Sequence, residues 1–294
     1  MGARVIKSIT MIVMSLALFA LLGTTPANAA FPGDNGRLAF VRAGNVFTIN
    51  PDGTGLRQLN TDGDNAHPRW SPDGRRIAYL TGGELWVMNA DGTGKRSIWK
   101  PYEDLRANQP AWSPDGWYLA MNVSELDQSA VLKRISVADG TVANFTEGPE
   151  NAWVSADVFN SDIAWSPDGR KILYAGGTCE APSQDCFTQL TLDSPSATHG
   201  TTDVIDHGIR SPDWQLNSGD YTWTTSNSDV QFSDYGDSGV YIPNAEDSIY
   251  SPSHGHIAFI RIQGSARYVT IANVDGSDKR RLGPGIQVDW QPLP

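Results

Sequence analysis

A chain in which one short motif returns about every forty residues is confined to repeat architectures, and this chain returns to one six times. His67-Pro68-Arg69-Trp70 runs into Ser71-Pro72-Asp73-Gly74. Gln109-Pro110-Ala111-Trp112 runs into Ser113-Pro114-Asp115-Gly116, and Asp162-Ile163-Ala164-Trp165 into Ser166-Pro167-Asp168-Gly169. Ser211-Pro212-Asp213-Trp214 keeps the Trp and loses the turn. Asp247-Ser248-Ile249-Tyr250 replaces Trp by Tyr and continues Ser251-Pro252-Ser253-His254-Gly255. The sixth copy is Gln287-Val288-Asp289-Trp290. The aromatic residues are spaced 42, 53, 49, 36 and 40 apart. A period of this length belongs to units that cannot bury an apolar face alone and must stack on their neighbours.

Each unit reads as four short strands. In residues 67–100, His67–Trp70 is extended and Ser-Pro-Asp-Gly turns the chain. Proline presets φ at the second turn position, and glycine takes the left-handed one. Arg76-Ile77-Ala78-Tyr79-Leu80 is a strand-sized apolar run, and Thr81-Gly82-Gly83 turns again. Glu84–Asn89 is the third strand, ended by the hairpin signal Asp91-Gly92, and Arg96–Trp99 is the fourth. No helical periodicity follows the first thirty residues. Four antiparallel strands per forty-residue repeat predict a propeller blade, and the fold class is all-β.

The count of blades follows from the two ends. Leu38–Arg42, Val46–Ile49 and Leu56–Leu59 are three strands without the Trp strand that precedes them elsewhere, and Gln287–Trp290 is that strand alone. Placed innermost in the N-terminal blade, it closes the ring and removes the open edges of a sheet. Five whole blades and one shared blade make six. The fourth whole blade is the most eroded, with outer strands expected at Tyr221–Thr225, Asp229–Ser233 and Val240–Pro243.

The repeated Pro-x-Trp-Ser-Pro-Asp-Gly, followed by an Ile-Ala-Tyr-like strand and an Asp-Gly turn, resembles the TolB-type β-propeller repeat. The resemblance covers nearly all of residues 30–294. It implies a six-bladed ring and a protein- or ligand-binding scaffold. The α/β domain that precedes the ring in the family's periplasmic namesake has no counterpart here, so the resemblance implies no particular partner.

Residues 1–29 are expected to lie outside the fold. Arg4 and Lys7 open them, Ile9–Leu22 is largely apolar, and Ala27-Asn28-Ala29 is a small-x-small cleavage signal. That is the pattern of a secretory signal peptide, leaving residues 30–294 as a single domain that is secreted or held in the cell envelope. The whole chain carries 22 Lys+Arg against 33 Asp+Glu, a net charge of −11, and removing Arg4 and Lys7 takes it to about −13. A field of that sign argues against nucleic acid and anionic membrane surfaces. No later stretch is apolar enough to span a bilayer. Cys179 and Cys186, the two cysteines, share one short loop and are expected to pair after export. Closing that loop restricts the unfolded chain by about 2.5 kcal/mol.

Propeller geometry places the Ser-Pro-Asp-Gly and Asp-Gly turns on one face. Blade-to-blade connections lie on the other, where the 146–159 and 177–186 stretches add irregular length. Binding usually resides in such loops on a rigid scaffold. The residues three before each aromatic, His67, Gln109, Asp162, Ser211, Asp247 and Gln287, should ring the channel mouth on that face. All are polar. A water-filled channel would draw polar residues in any case; the functional reading is that they converge on a ligand. Trp70, Trp112, Trp165, Trp214 and Trp290 recur in step with the blades and are read as packing. Trp153 belongs to no repeat position and is a contact candidate.

Other motifs are weaker. Gly236-Asp237-Ser238-Gly239 matches a serine-protease nucleophile segment but reads as a turn, because a triad is defined by geometry and roles. Asp62-Gly63-Asp64-Asn65 suggests calcium but lacks the sixth-position glycine and twelfth-position glutamate of an EF-hand loop, and His254 and His256 lack a third ligand. No metal or cofactor is expected. The sequence supports a monomeric, non-catalytic scaffold that binds an extracytoplasmic protein, peptide or glycan through Trp153, His67, Asp162, Asp247, Gln109 and Gln287. The alternative is an extracellular hydrolase or lyase acting on a polymer at the channel mouth, with His67 as base and Asp162 or Asp247 as its charge partner.

Overall fold

The computed structural model describes residues 31–293 apart from 103–105, 125–129, 149, 151, 157–162, 176–185, 196, 208, 215–220, 226 and 233–240. Every regular element among them is a strand. The first blade holds β1 (Asp34–Arg42), β2 (Asn45–Ile49) and β3 (Arg57–Gln58). The second holds β4 (Asn65–Trp70), β5 (Arg76–Thr81), β6 (Glu84–Asn89) and β7 (Arg96–Trp99). In the third, β8 (Arg106–Ala107) and β9 (Ala111–Trp112) form a broken inner strand beside β10 (Tyr118–Ser124), β11 (Ala130–Ser136) and β12 (Val142–Asn144). Three short strands follow, β13 (Thr146–Glu147), β14 (Ala152–Trp153) and β15 (Ser155–Ala156). The fourth blade is β16 (Ile163–Trp165), β17 (Lys171–Ala175), β18 (Cys186–Leu192) and β19 (His199–His207). The fifth is β20 (Ile209–Trp214), β21 (Tyr221–Thr225), β22 (Val230–Phe232) and β23 (Tyr241–Ile242). The sixth is β24 (Ala245–Tyr250), β25 (His256–Gln263), β26 (Ala266–Asn273) and β27 (Arg280–Pro284). Last comes β28 (Ile286–Leu293), which returns to the first blade.

The ring closes as the two half-blades predict. β28 pairs antiparallel with β1, with Leu38 opposite Trp290 and Asp34 opposite Leu293, and the first sheet runs β28-β1-β2-β3. The eroded fifth blade keeps its three outer strands close to the expected positions.

The repeated turns are built by their own side chains. In Ser71-Pro72-Asp73-Gly74 the Gly74 N–H donates to the Ser71 carbonyl at 2.8 Å, with Gly74 at φ +64°. The Ser71 hydroxyl donates to the Asp73 carboxylate and accepts the Arg76 N–H at 2.9 Å, so one serine fastens the turn to the next strand. Ser113 and Ser166 repeat the arrangement. In the outer hairpins, Asp52, Asp91 and Asp275 each accept from the backbone N–H and hydroxyl of the residue two further on. Those hydroxyl bonds, with the backbone N–H behind them, hold all three carboxyls below their ordinary value.

The core is divided among the seams. Six apolar clusters each join consecutive blades; the one between the first and second blades contains Ala39, Val46, Trp70, Ile77, Tyr79 and Met88. Trp70, Trp112, Trp165, Trp214 and Trp290 are all buried. Two of them also bond across a seam: the Trp112 indole N–H donates to the Arg69 carbonyl at 3.0 Å, and that of Trp214 to the Ala164 carbonyl at 3.2 Å. The seam between the fourth and fifth blades has the smallest cluster among the described residues, Ala164, Leu173 and Trp214.

One stretch departs from expectation. The described residues of 146–156 form paired strands rather than an irregular insertion. β13 pairs in parallel with β19, the outer strand of the fourth blade, and antiparallel with β14, while β15 pairs back to β11 of the third. Phe145 and Val154 are buried in the seam and anchor both sides of the hairpin. An outer strand left with open N–H and C=O groups is thereby covered.

Candidate functional site

Four of the inner strands are bulged just before the aromatic residue. Register slips between Ala66 and Arg69, between Arg210 and Asp213, between Glu246 and Ile249, and opposite Ile286–Asp289. His67, Asp247 and Gln287 sit in the bulges at φ values of 50°, 50° and 58°. A bulge re-aims one side chain out of the ladder. Left-handed backbone favours His and Asp over branched residues, which accounts for His67 and Asp247 at two of these bulges. The His67 N–H donates to the Gln287 side-chain carbonyl at 3.0 Å, and the Gln287 amide nitrogen lies 3.2 Å from His67 Nε2. The first and second blades are therefore tied together at the mouth.

Inside the mouth, the inner strands enclose a cavity of about 80 Å³ to which all six blades contribute. Its wall combines Trp70, Trp112, Trp165, Trp290 and Tyr250 with Gln109 and Asp247. The residue immediately before each aromatic decides its electrostatics. That residue is Ala111, Ala164 or Ile249 in three blades, Arg69 in the second, Asp213 in the fifth and Asp289 in the first. In a six-bladed ring the second and fifth blades face one another, so Arg69 and Asp213 look at each other across the cavity.

Both aspartates have structural duties. Asp289 accepts the backbone N–H of Trp70, and Asp213 accepts that of Tyr250 at 2.8 Å, each reaching forward to the next blade. Burial pushes the Asp213 carboxyl up to about 7, and the negative charge of Asp289 adds to the shift. Burial likewise pushes Asp289 up to about 6. In both cases the positive charge of Arg69 and the backbone N–H bonds oppose burial without overcoming it. Burial therefore biases both carboxyls of the cavity toward their protonated form.

The residues singled out by sequence are dispersed. Gln109, which is buried, and Asp247 line the cavity; His67 and Gln287 pair with each other at its rim. Trp153 lies in β14 on the outer edge of the fourth blade, remote in the sheet order from the inner strand β16. Asp162 and Cys179 lie outside the described residues, and Cys186 opens β18. Arg69, Asp213 and Asp289 were missed. Their signal was available in the motif itself, as the break in the small or apolar residue that precedes the aromatic. No group of three or more His, Cys, Asp or Glu converges among the described residues.

Six four-stranded units around a lined cavity define a propeller. No family model and no curated protein matches the chain. Solved structures do. TolB from Acinetobacter baumannii matches with a TM-score of 0.72 at 17% identity, over 89% of this chain and 68% of that one. A putative TolB from Agrobacterium tumefaciens matches at 0.64 and 17% identity, over 86% and 91%. A chain of a nidogen/laminin complex matches at 0.64 and 8% identity, over 87% and 98%. The fold is that of a TolB-like six-bladed β-propeller. No helix among the described residues is long and apolar enough to cross a membrane.

Proposed function

We propose that this ring is an exported binding scaffold that takes a protein, peptide or glycan at the mouth carrying Gln109 and Asp247. The observation behind the reading is the cavity, to which every blade contributes and which mixes aromatic faces with hydrogen-bonding and charged groups. At about 80 Å³ it is smaller than the ~300–1,000 Å³ of sites that enclose a small molecule. It suits one side chain or sugar substituent, with the rest of the ligand lying across the rim. The TolB and nidogen/laminin structures are support by analogy of fold, and the leader-like residues 1–29 support export.

The test is Asp247→Asn, assayed on peptide and glycan arrays beside the native protein. Asparagine tolerates the left-handed backbone at this position and replaces the carboxylate by a neutral amide of the same shape. Weaker capture of the same ligand with an unchanged melting temperature is expected. Capture unaffected by the substitution would place the site elsewhere. One observation favours the second reading, a hydrolase or lyase: a carboxyl near pH 7 in a cavity suits proton transfer. A turnover of polysaccharide or peptide that is lost in Asp213→Asn would select it.

A further inference from the structure

The cavity has one boundary that does not come from a blade. Phe31 lines it, three residues before β1 begins at Asp34. Nothing in the ladder forces this placement. Pairing between β1 and β28 ends at Asp34 and Leu293, and Pro32 has no N–H to extend it. What fixes the segment is close passage and packing. A Cβ on Gly33 would lie 2.3 Å from the Leu293 carbonyl oxygen, so the chain threads tightly past the end of β28. Phe31 then packs against the cluster containing Trp112, and Trp112 also lines the cavity.

The direction of entry follows from the strand. Gln287 and Leu293 stand at opposite ends of β28, about 20 Å apart at the usual rise per residue. Gln287 marks the mouth. Phe31 lies two residues from Gly33, which touches Leu293, so it reaches the cavity from the far end. A residue belonging only to the seam of the second and third blades would border that seam alone. Phe31 borders the same space as Pro212 and Pro252 of the fifth and sixth blades.

We propose that Phe31 is an intramolecular plug. It closes the channel at the end of the Ser-Pro turns and converts a through-channel into a blind pocket entered only from the Gln109 and Asp247 mouth. The pocket it fills is one for an aromatic side chain. The importance of the blind pocket to a ligand rests on the function proposed above, but the plug itself does not.

The experiment replaces the plug with a free ring. Full-length protein carrying Phe31→Ala is titrated with 4-fluorotoluene and followed by fluorine NMR, beside native protein and Phe31→Leu. The ring should bind Phe31→Ala at least tenfold more tightly than native protein, with nuclear Overhauser contacts to the Trp112 indole and a rise in melting temperature. Phe31→Leu should fall between them and keeps the test open if the alanine variant is poorly folded. Equal binding to native and variant protein would mean that Phe31 fills nothing. Binding without contact to Trp112, or no binding to either variant, would also overturn the plug. Failure of Asp247→Asn to weaken ligand capture would leave this result untouched, because the fluorinated ring reads the opposite end of the cavity.

Discussion

Removing a charge from the channel wall should make the ring more stable. Asp289 is buried, and its carboxyl is raised from 3.8 to about 6 despite Arg69 and the Trp70 N–H. The folded protein therefore binds more protons than the unfolded chain between these values. Stability from this group is greatest below pH 4 and is lost as pH rises through about 6, the reverse of the usual carboxylate. A shift of about two units corresponds to about 3 kcal/mol at pH 7.5. Asp289→Asn abolishes that penalty and keeps an oxygen to accept the Trp70 N–H. Its new amide hydrogens need acceptors, which costs about 1 kcal/mol. The net expectation is about 2 kcal/mol of stabilisation, or roughly 4–8 °C in melting temperature for a domain of this size. Thermal melts from pH 4 to pH 8 should show the variant's advantage growing with pH and turning into a small deficit near pH 4. The Asp213 carboxyl, followed by carbon NMR, should fall because a neighbouring negative charge is gone. Asp213 itself keeps part of its side chain open to the cavity, so Asp289 is the sharper test. A variant less stable at pH 7.5, with the pH slope unchanged, would refute the argument.

Two further outcomes follow from other sites. His254 occupies the turn position that Gly74 fills in the second blade, at φ +62°, and both of its ring nitrogens are buried without a hydrogen bond. His254→Gly should relieve the left-handed backbone and the unpaired ring, raising stability by about 1 kcal/mol in a denaturant titration. His199 places Nε2 at 2.8 Å from the Gly148 carbonyl and Nδ1 at 2.7 Å from Asp193. Both partners accept, so the arrangement favours imidazolium, and the bonds to Gly148 and then Asp193 raise its pKa above 6.5. The raised value means that its hold on the β13–β14 hairpin is complete below pH 6.5 and lost as pH rises through the folded pKa. Exchange of the Thr146 and Gly148 amides should accelerate over that range in native protein and lose its pH dependence in His199→Gln.

The ring could be read from the sequence because its determinants are local and repeated. In three blades a serine, a proline, an aspartate and a glycine form the turn from four consecutive residues, and the aromatic period places every blade. The 146–156 stretch could not be read, because its strands are two residues long and its partners, β19 and β11, are distant in sequence. What identified it was tertiary: Phe145 and Val154 meet in one cluster although nine residues separate them. Gln109 and Asp247 were found as cavity residues because they occupy a repeat position. Arg69, Asp213 and Asp289 occupy an equally regular one, yet nothing in a single motif says that a charge there faces its counterparts from other blades.

That last point has a physical consequence for how such rings diverge. The residue before the aromatic must sit in a shared interior, so alanine or isoleucine is the inexpensive choice, and three blades make it. A charge there is tolerated only when another blade answers it. Arg69 opposes the shifts of both carboxylates, and each carboxylate accepts an N–H from the following blade. The three are therefore one unit spread over the first, second and fifth blades. Arg69→Met should demonstrate this. The variant loses the cation but keeps both forward bonds, so the Asp213 and Asp289 carboxyls should rise further and the decline of stability with pH should steepen. Carboxyl values that stay where they are would mean that the guanidinium is too well solvated to matter, and that the two aspartates are independent staples.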